Sequence, residues 1–171
     1  VLALNFDMLP EQMRPLAAKH FADNVEKYGH ITTGFLGTPF ISHVLSSNGY
    51  NELAYRLLLR QDYPGWLYPV RMGATTIWER WNSMMPDRTI PDNGMNSFNH
   101  YSYGAVGDWL YRDAVGLYET SPGFKTIAVK PHPGADFTYM KAEQQTPYGK
   151  AAAHWQKADG VFNLEVTIPV N

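Results

Sequence analysis

The period of the apolar residues changes once along this chain, and that change limits the fold more than any single motif does. From residue 10 to about 60 apolar side chains recur every three to four positions, whereas from about 122 they sit in short runs cut by Pro, Gly and Asp. Pro10-Glu11 opens a helix whose packed stripe is Met13, Leu16, Ala17, His20, Phe21, Asn24, Val25 and Tyr28, with Gly29 as its stop. A second helix spans 39–47 with Phe40, Val44 and Leu45 inward, and a third spans 51–60 with Leu53, Ala54, Leu57 and Leu58 inward. A fourth covers about 97–115, with Gly104 and Gly107 permitting close contact. Strands are expected at 124–130, 137–143, 149–157 and 160–170. Between these parts, 63–81 reads as a loop with a short hairpin, and Pro91-Asp92-Asn93-Gly94 as a turn. Helices first and strands second describe a segregated α+β chain and exclude a doubly wound sheet. The natural division is 1–121 for the helical part and 122–171 for a small antiparallel β module.

Composition narrows the partners. A chain of 171 residues with 44% hydrophobic content has material for one sizeable core, or for a core and a small second module. The formal charge of −2, without a basic stripe, gives no footprint for nucleic acid, and no stretch approaches the roughly 20 apolar residues of a membrane span. There are no cysteines, and the six histidines lack ligand spacing, so no metal or other cofactor is expected. The chain reads as soluble, with its compartment, cytoplasmic or exported, left open. It starts without Met and enters a helical pattern at once, the mark of a piece of something longer.

The chemistry concentrates in Gly73-Ala74-Thr75-Thr76-Ile77-Trp78-Glu79-Arg80-Trp81. Read as a strand, it puts Ile77, Glu79 and Trp81 on one face and Thr76, Trp78 and Arg80 on the other. A carboxylate beside an indole suits a sugar-cleaving cleft, where the ring packs on an apolar sugar face and the carboxylate handles a proton. The same Glu79 also suits a solvated or salt-bridged role, with Arg71 and Arg80 as partners. Twenty-one residues later comes His100, whose ring both donates and accepts as a sugar hydroxyl does, but which equally suits a hydrogen-bonded structural role. Trp66 and Tyr68 in Gly65-Trp66-Leu67-Tyr68 either line such a cleft or plug a core, and Trp78 reads as core.

Residues 73–81, the run Asn96-Ser97-Phe98-Asn99-His100-Tyr101 through Arg112, Lys130-Pro131-His132-Pro133 and Thr146-Pro147-Tyr148-Gly149 occur in the order seen in bacterial α-L-rhamnosidases, glycoside hydrolase family 78, and the chain resembles the C-terminal part of that family. The resemblance implies the last helices of an (α/α)6 barrel followed by a β-sandwich, and a parent that is an inverting hydrolase of terminal α-L-rhamnosides. It assigns Glu79 as general base and His100 as a contact to sugar hydroxyls; Trp81, on the Glu79 face, reads as the sugar platform, and Trp66 either lines the cleft or plugs the barrel end. In such enzymes the two carboxyls stand roughly 6.5 to 9.5 Å apart to admit a water, and an apolar wall raises the base's pKa. The family's general acid lies upstream, and Asp87, Asp92 and Asp108 do not match it. The implied partners are therefore a rhamnose-containing glycoside and the missing N-terminal part of the same protein, without which the piece is inactive. The family often carries Asp where this chain has Asn82, which removes any ionic role there. Two other classes remain open: a non-catalytic carbohydrate-binding or scaffold fragment, and a helical-barrel lyase or isomerase needing Tyr101 or His100.

Overall fold

Three-to-four spacing in the first third does produce helices. The computed structural model describes residues 1–91, 94–134 and 137–170, which leaves Asp92 and Asn93 of the expected turn outside the described residues. Contacts cluster in two units, Val1–Val106 and Gly107–Asn171. The first holds α1 (Leu2–Asn5), α2 (Arg14–Tyr28), α3 (Thr38–Ser47), α4 (Asn51–Leu59) and α5 (Leu67–Arg71). Gly29 closes α2 in the left-handed conformation, its N–H donating to Val25 O at 2.8 Å. α3 packs on α4 across the short link 48–50, burying Ile41, Val44 and Leu45 against Leu53, Ala54 and Leu57.

The buried face of α2 differs from the expected stripe. Ala18, Ala22 and Val25 point inward, whereas Met13, Leu16 and Tyr28 are 55, 56 and 50% exposed. Small side chains let α2 approach its neighbours closely, and the larger apolar ones project from the other flank. A helix also replaces part of the expected loop: α5 begins at Leu67 and buries Tyr68 and Pro69. Its proline falls in the first turn, where no intrahelical N–H bond is lost.

The fourth helix starts later than expected and changes pitch. It runs as a 3-10 turn over Ser102–Ala105, as α6 over Val106–Trp109 and as a π turn over Leu110–Val115. Residues 97–100 stay outside because Ser97 N, Ser97 O and His100 N are already bonded to the 77–79 backbone or to the Glu79 carboxylate. His100 thus precedes the helix and is not part of it.

In the second unit, β1 (Leu117–Glu119) pairs antiparallel with β2 (Ile127–Val129), and β3 (Tyr139–Thr146), β4 (Gly149–Ala158) and β5 (Val161–Thr167) form a three-stranded antiparallel sheet in that order. The sequence starts its β part at 122, but Leu117–Glu119 is already a strand. The Thr146-Pro147-Tyr148-Gly149 run is the β3–β4 hairpin turn, with Thr146 Oγ1 donating to Gly149 O at 2.7 Å and accepting from Tyr148 N. Both sheets feed one apolar cluster: Leu117 and Val129 come from the first, Ala151, Ala153, Met140 and Ala142 from the second, and Val115 from the π turn. Trp155 is fully buried, and its indole N–H donates to Ala114 O at 2.9 Å. Leu164 and Val166 pair in register with Trp155 and Ala153, so they share the inner face, yet both are about 40% exposed. Among the described residues no helix is long and apolar enough to cross a membrane.

Gly116 ends the π turn with φ of 80°, and a Cβ there would fall 2.2 Å from Lys130 C and Pro131 N. No side-chain rearrangement relieves an overlap with backbone. Gly116→Ala is expected to destabilise this unit by more than about 3 kcal/mol, the range of severe packing lesions, whereas Gly107→Ala, with nothing within 4 Å of its Cβ, is expected to be neutral or better; denaturant melts of the two variants check this. Arg112 donates to Glu119, and this bond holds the Glu119 carboxyl below the ordinary carboxylate range. A lowered folded-state pKa contributes stability that is complete above the unfolded pKa and is lost as pH falls through the folded one. The stability gap between wild type and Glu119→Gln is therefore expected to be widest at neutral pH and to close on acidification, as pH-dependent melts will report.

Candidate active site

Residues 73–81 follow α5 through turns and bends and do not form the expected strand. Aromatic and β-branched side chains favour extended backbone, yet a strand also needs a neighbour to pair with over several residues. Here the neighbour is 97–100, and pairing lasts only from Thr76 to Glu79. Thr76 Oγ1 donates to Phe98 O, His100 N to Ile77 O at 2.8 Å, and Glu79 N to Ser97 O at 2.8 Å. Ser97 N then donates to Glu79 Oε2 at 2.7 Å. Directly afterwards the chain turns: Ser83, fully buried, donates to Arg80 O through both its N, at 3.2 Å, and its Oγ, at 3.0 Å. That turn breaks the expected alternation, so Trp78 and Trp81, assigned to opposite faces, line the same hollow.

Glu79 is half-buried and, among the described residues, has no ion-pair partner. Arg71 lies instead beside Asp62 at 3.5 Å. One carboxylate oxygen of Glu79 is held by the Ser97 N–H, which fixes the plane of the carboxylate against its own backbone. His100 is also half-buried, and Ser102 N donates to its Nδ1 at 3.4 Å, which places the proton of the neutral ring on Nε2. Of the other carboxylates, Asp87 accepts from Thr89 N and Oγ1, and Asp108 pairs with Arg112 at 3.0 Å, so both have structural partners. Asn82 reaches Met85 Sδ at 3.9 Å.

Ring contacts join the remaining residues. Trp66 donates from Nε1 to Tyr103 O at 2.8 Å and meets Trp81 edge-on at 5.5 Å. Trp81 stacks on Tyr103 at 3.7 Å and 14°, and Phe35 leans on Tyr103 at 5.1 Å while lying parallel to His100 at 4.9 Å. Trp66 and Trp81 are thus buried, with one face of Trp81 taken by Tyr103. Together with Ile77, Trp78 and Val70 they line a largely apolar hollow of about 290 Å³. Burial pushes the Tyr103 hydroxyl above its ordinary pKa. Trp78 also meets Phe98 edge-on at 5.2 Å, consistent with its reading as core.

Residues 1–114 match the bacterial α-L-rhamnosidase six-hairpin glycosidase domain, and residues 116–171 match the bacterial α-L-rhamnosidase C-terminal domain. The chain belongs to the bacterial α-L-rhamnosidase family. It is 42% identical over 172 residues to an α-L-rhamnosidase of Formosa agariphila, an alignment that takes in all of this chain and 19% of that protein. An α-L-rhamnosidase of Streptomyces avermitilis is 39% identical over the same length, with 17% of it covered. Its crystal structure in complex with L-rhamnose superposes with a TM-score of 0.94 at 38% identity, over 98% of this chain and 16% of that one. The native Aspergillus terreus enzyme gives 0.95 at 37% identity, over 98% and 20%. The chain therefore spans a fifth or less of the length of these relatives.

Three residues of this candidate site escape sequence reasoning. Ser97 acts through its backbone, which leaves no side-chain signal. Tyr103 is hidden in a helical pattern, and Phe35 sits in a glycine-flanked turn that matches no motif. Because Tyr103 backs both Trp81 and Phe35, its ring is expected to matter more than its hydroxyl. Tyr103→Phe should stay within about 1.5 kcal/mol of wild type and Tyr103→Ala should lose about 3–5 kcal/mol, with a shift in tryptophan emission, both read from denaturant melts by fluorescence.

Proposed function

We propose that this chain is the C-terminal part of an inverting α-L-rhamnosidase, contributing the last helices of an (α/α)6 barrel, a β-sandwich module and the general base, Glu79. The observation that carries the reading is the bond from Ser97 N to Glu79 Oε2, in a segment whose next backbone bond anchors His100. It leaves the second carboxylate oxygen without a protein partner among the described residues and fixes it relative to the imidazole.

In the proposed reaction that oxygen takes a proton from a water as the water oxygen bonds to the anomeric carbon. The glycosidic C–O bond breaks on the opposite face, and the leaving oxygen takes its proton from an acid outside this chain. His100 donates through Nε2 to a hydroxyl of the rhamnosyl unit, and the Trp66–Trp81 wall supplies apolar surface to the sugar cleft. The substrate is a rhamnose-containing glycoside. The exposed Leu16 of α2 and Met13 of the 3-10 turn before it support docking against the N-terminal part of the same protein, which would also bring the acid.

In the full-length protein, Glu79→Gln is expected to lower turnover of an aryl α-L-rhamnoside by about 10²- to 10⁴-fold, the usual worth of a general base, with an unchanged melting temperature. Unaffected turnover defeats the assignment and leaves a sugar-binding or scaffold role. Proton NMR of the wild-type reaction at early times should show the β-anomer of rhamnose first; initial release of the α-anomer would rule out inversion.

A further inference from the structure

The ring lying parallel to His100 comes from a tight turn at the N-terminus of α3. Gly34 O accepts N–H bonds from Gly37 at 3.1 Å and from Thr38 at 3.0 Å. Thr38 Oγ1 lies 2.9 Å from Thr33 Oγ1 and donates to Thr33 O at 3.1 Å, so the turn is clasped at its base. Its two central residues, Phe35 and Leu36, are apolar and yet 41 and 80% exposed. Such a turn is more firmly built than its burial requires.

The Phe35 ring is 12° from parallel with the imidazole, and Tyr101 also stacks on it, at 5.5 Å and 4°. Histidine χ2 is broad and roughly two-fold, so an isolated imidazole wanders in plane and flips in edge. A stacked ring restrains the plane but leaves the flip, which carries the ring into the same plane. The Ser102 N–H on Nδ1 removes the flip, because the reversed ring would offer carbon there. Together the two contacts determine where Nε2–H points.

We propose that Phe35 is a positioning residue for the sugar-contacting imidazole: its ring sets the plane of His100, the Ser102 N–H selects the tautomer protonated on Nε2, and the pair presents that N–H as a donor to a rhamnosyl hydroxyl. This rests on the reading of His100 as a substrate contact. Phe35 acts through His100 and needs no contact with the sugar of its own.

The test is a double-mutant cycle in the full-length protein, assayed with an aryl α-L-rhamnoside. Phe35→Leu, with Phe35→Met as a second ring deletion, is expected to lower kcat/KM by about 2- to 12-fold, the range that an aromatic pair is worth. Phe35→Tyr is expected to restore it, and Phe35→Leu should cost nothing further in a His100→Ala background. Wild-type kinetics in both ring deletions, or an equal loss in both backgrounds, would overturn the proposal while His100→Ala remains impaired. Full turnover in His100→Ala would instead remove the substrate contact itself, and the proposal with it.

Discussion

One short stretch of backbone pairing holds the site together. Between 76–79 and 97–100 two loop segments exchange bonds as strands do, but one donor, Thr76 Oγ1, and one acceptor, the Glu79 carboxylate, are side chains. Residues separated by some twenty positions are thereby fixed in register, and the fixing comes from main-chain groups. The Glu79 carboxylate and the His100 ring are each oriented by one backbone N–H, from Ser97 and from Ser102. A site built this way resists side-chain variation around it, because the donors persist whatever side chains surround them.

The aromatic rings are arranged differently from the way an alternating strand would place them. Trp81 lies two residues after Glu79, and a strand would put both on one face. Ser83 ends that relation by closing a turn on Arg80, and Trp81 instead rests on Tyr103, which also supports Phe35. The chain of rings from Trp66 to His100 makes a stiff back wall. Energetically, aromatic pairs add about 0.5–1.5 kcal/mol each beyond their area, so several in series stabilise the relative placement of α5, the 73–81 segment and the start of the fourth helix.

Much of this was legible in the residues, for identifiable reasons. Helices α2, α3 and α4 follow from apolar period, helped by proline near the starts of α2 and α3 and by Gly29 as the stop of α2, because those signals act locally. Strands β3 to β5 follow in the same way from short runs cut by Pro, Gly and Asp. What was not legible depends on partners distant in sequence. The inward face of α2 is set by which neighbours it meets, and Ala18 and Ala22 win over Leu16 there. The late start of the fourth helix is set by bonds that residues 97–100 make to 77–79, and no pattern within 97–115 contains that information. Among the site residues Glu79 and His100 stand out by type and motif, whereas Phe35 and Tyr103 contribute only stacking, which apolar patterning reads as ordinary packing.

The three-stranded sheet has a further consequence. β5 bonds to β4 along one side only among the described residues, and its Phe162, Leu164 and Val166 remain part-open to water on the face that elsewhere forms the core. A rim of unpaired amides beside a greasy surface is a template for extension by any extended peptide that reaches it, a like copy included. Solutions of this chain by itself would tend toward ribbon-like self-association as concentration rises.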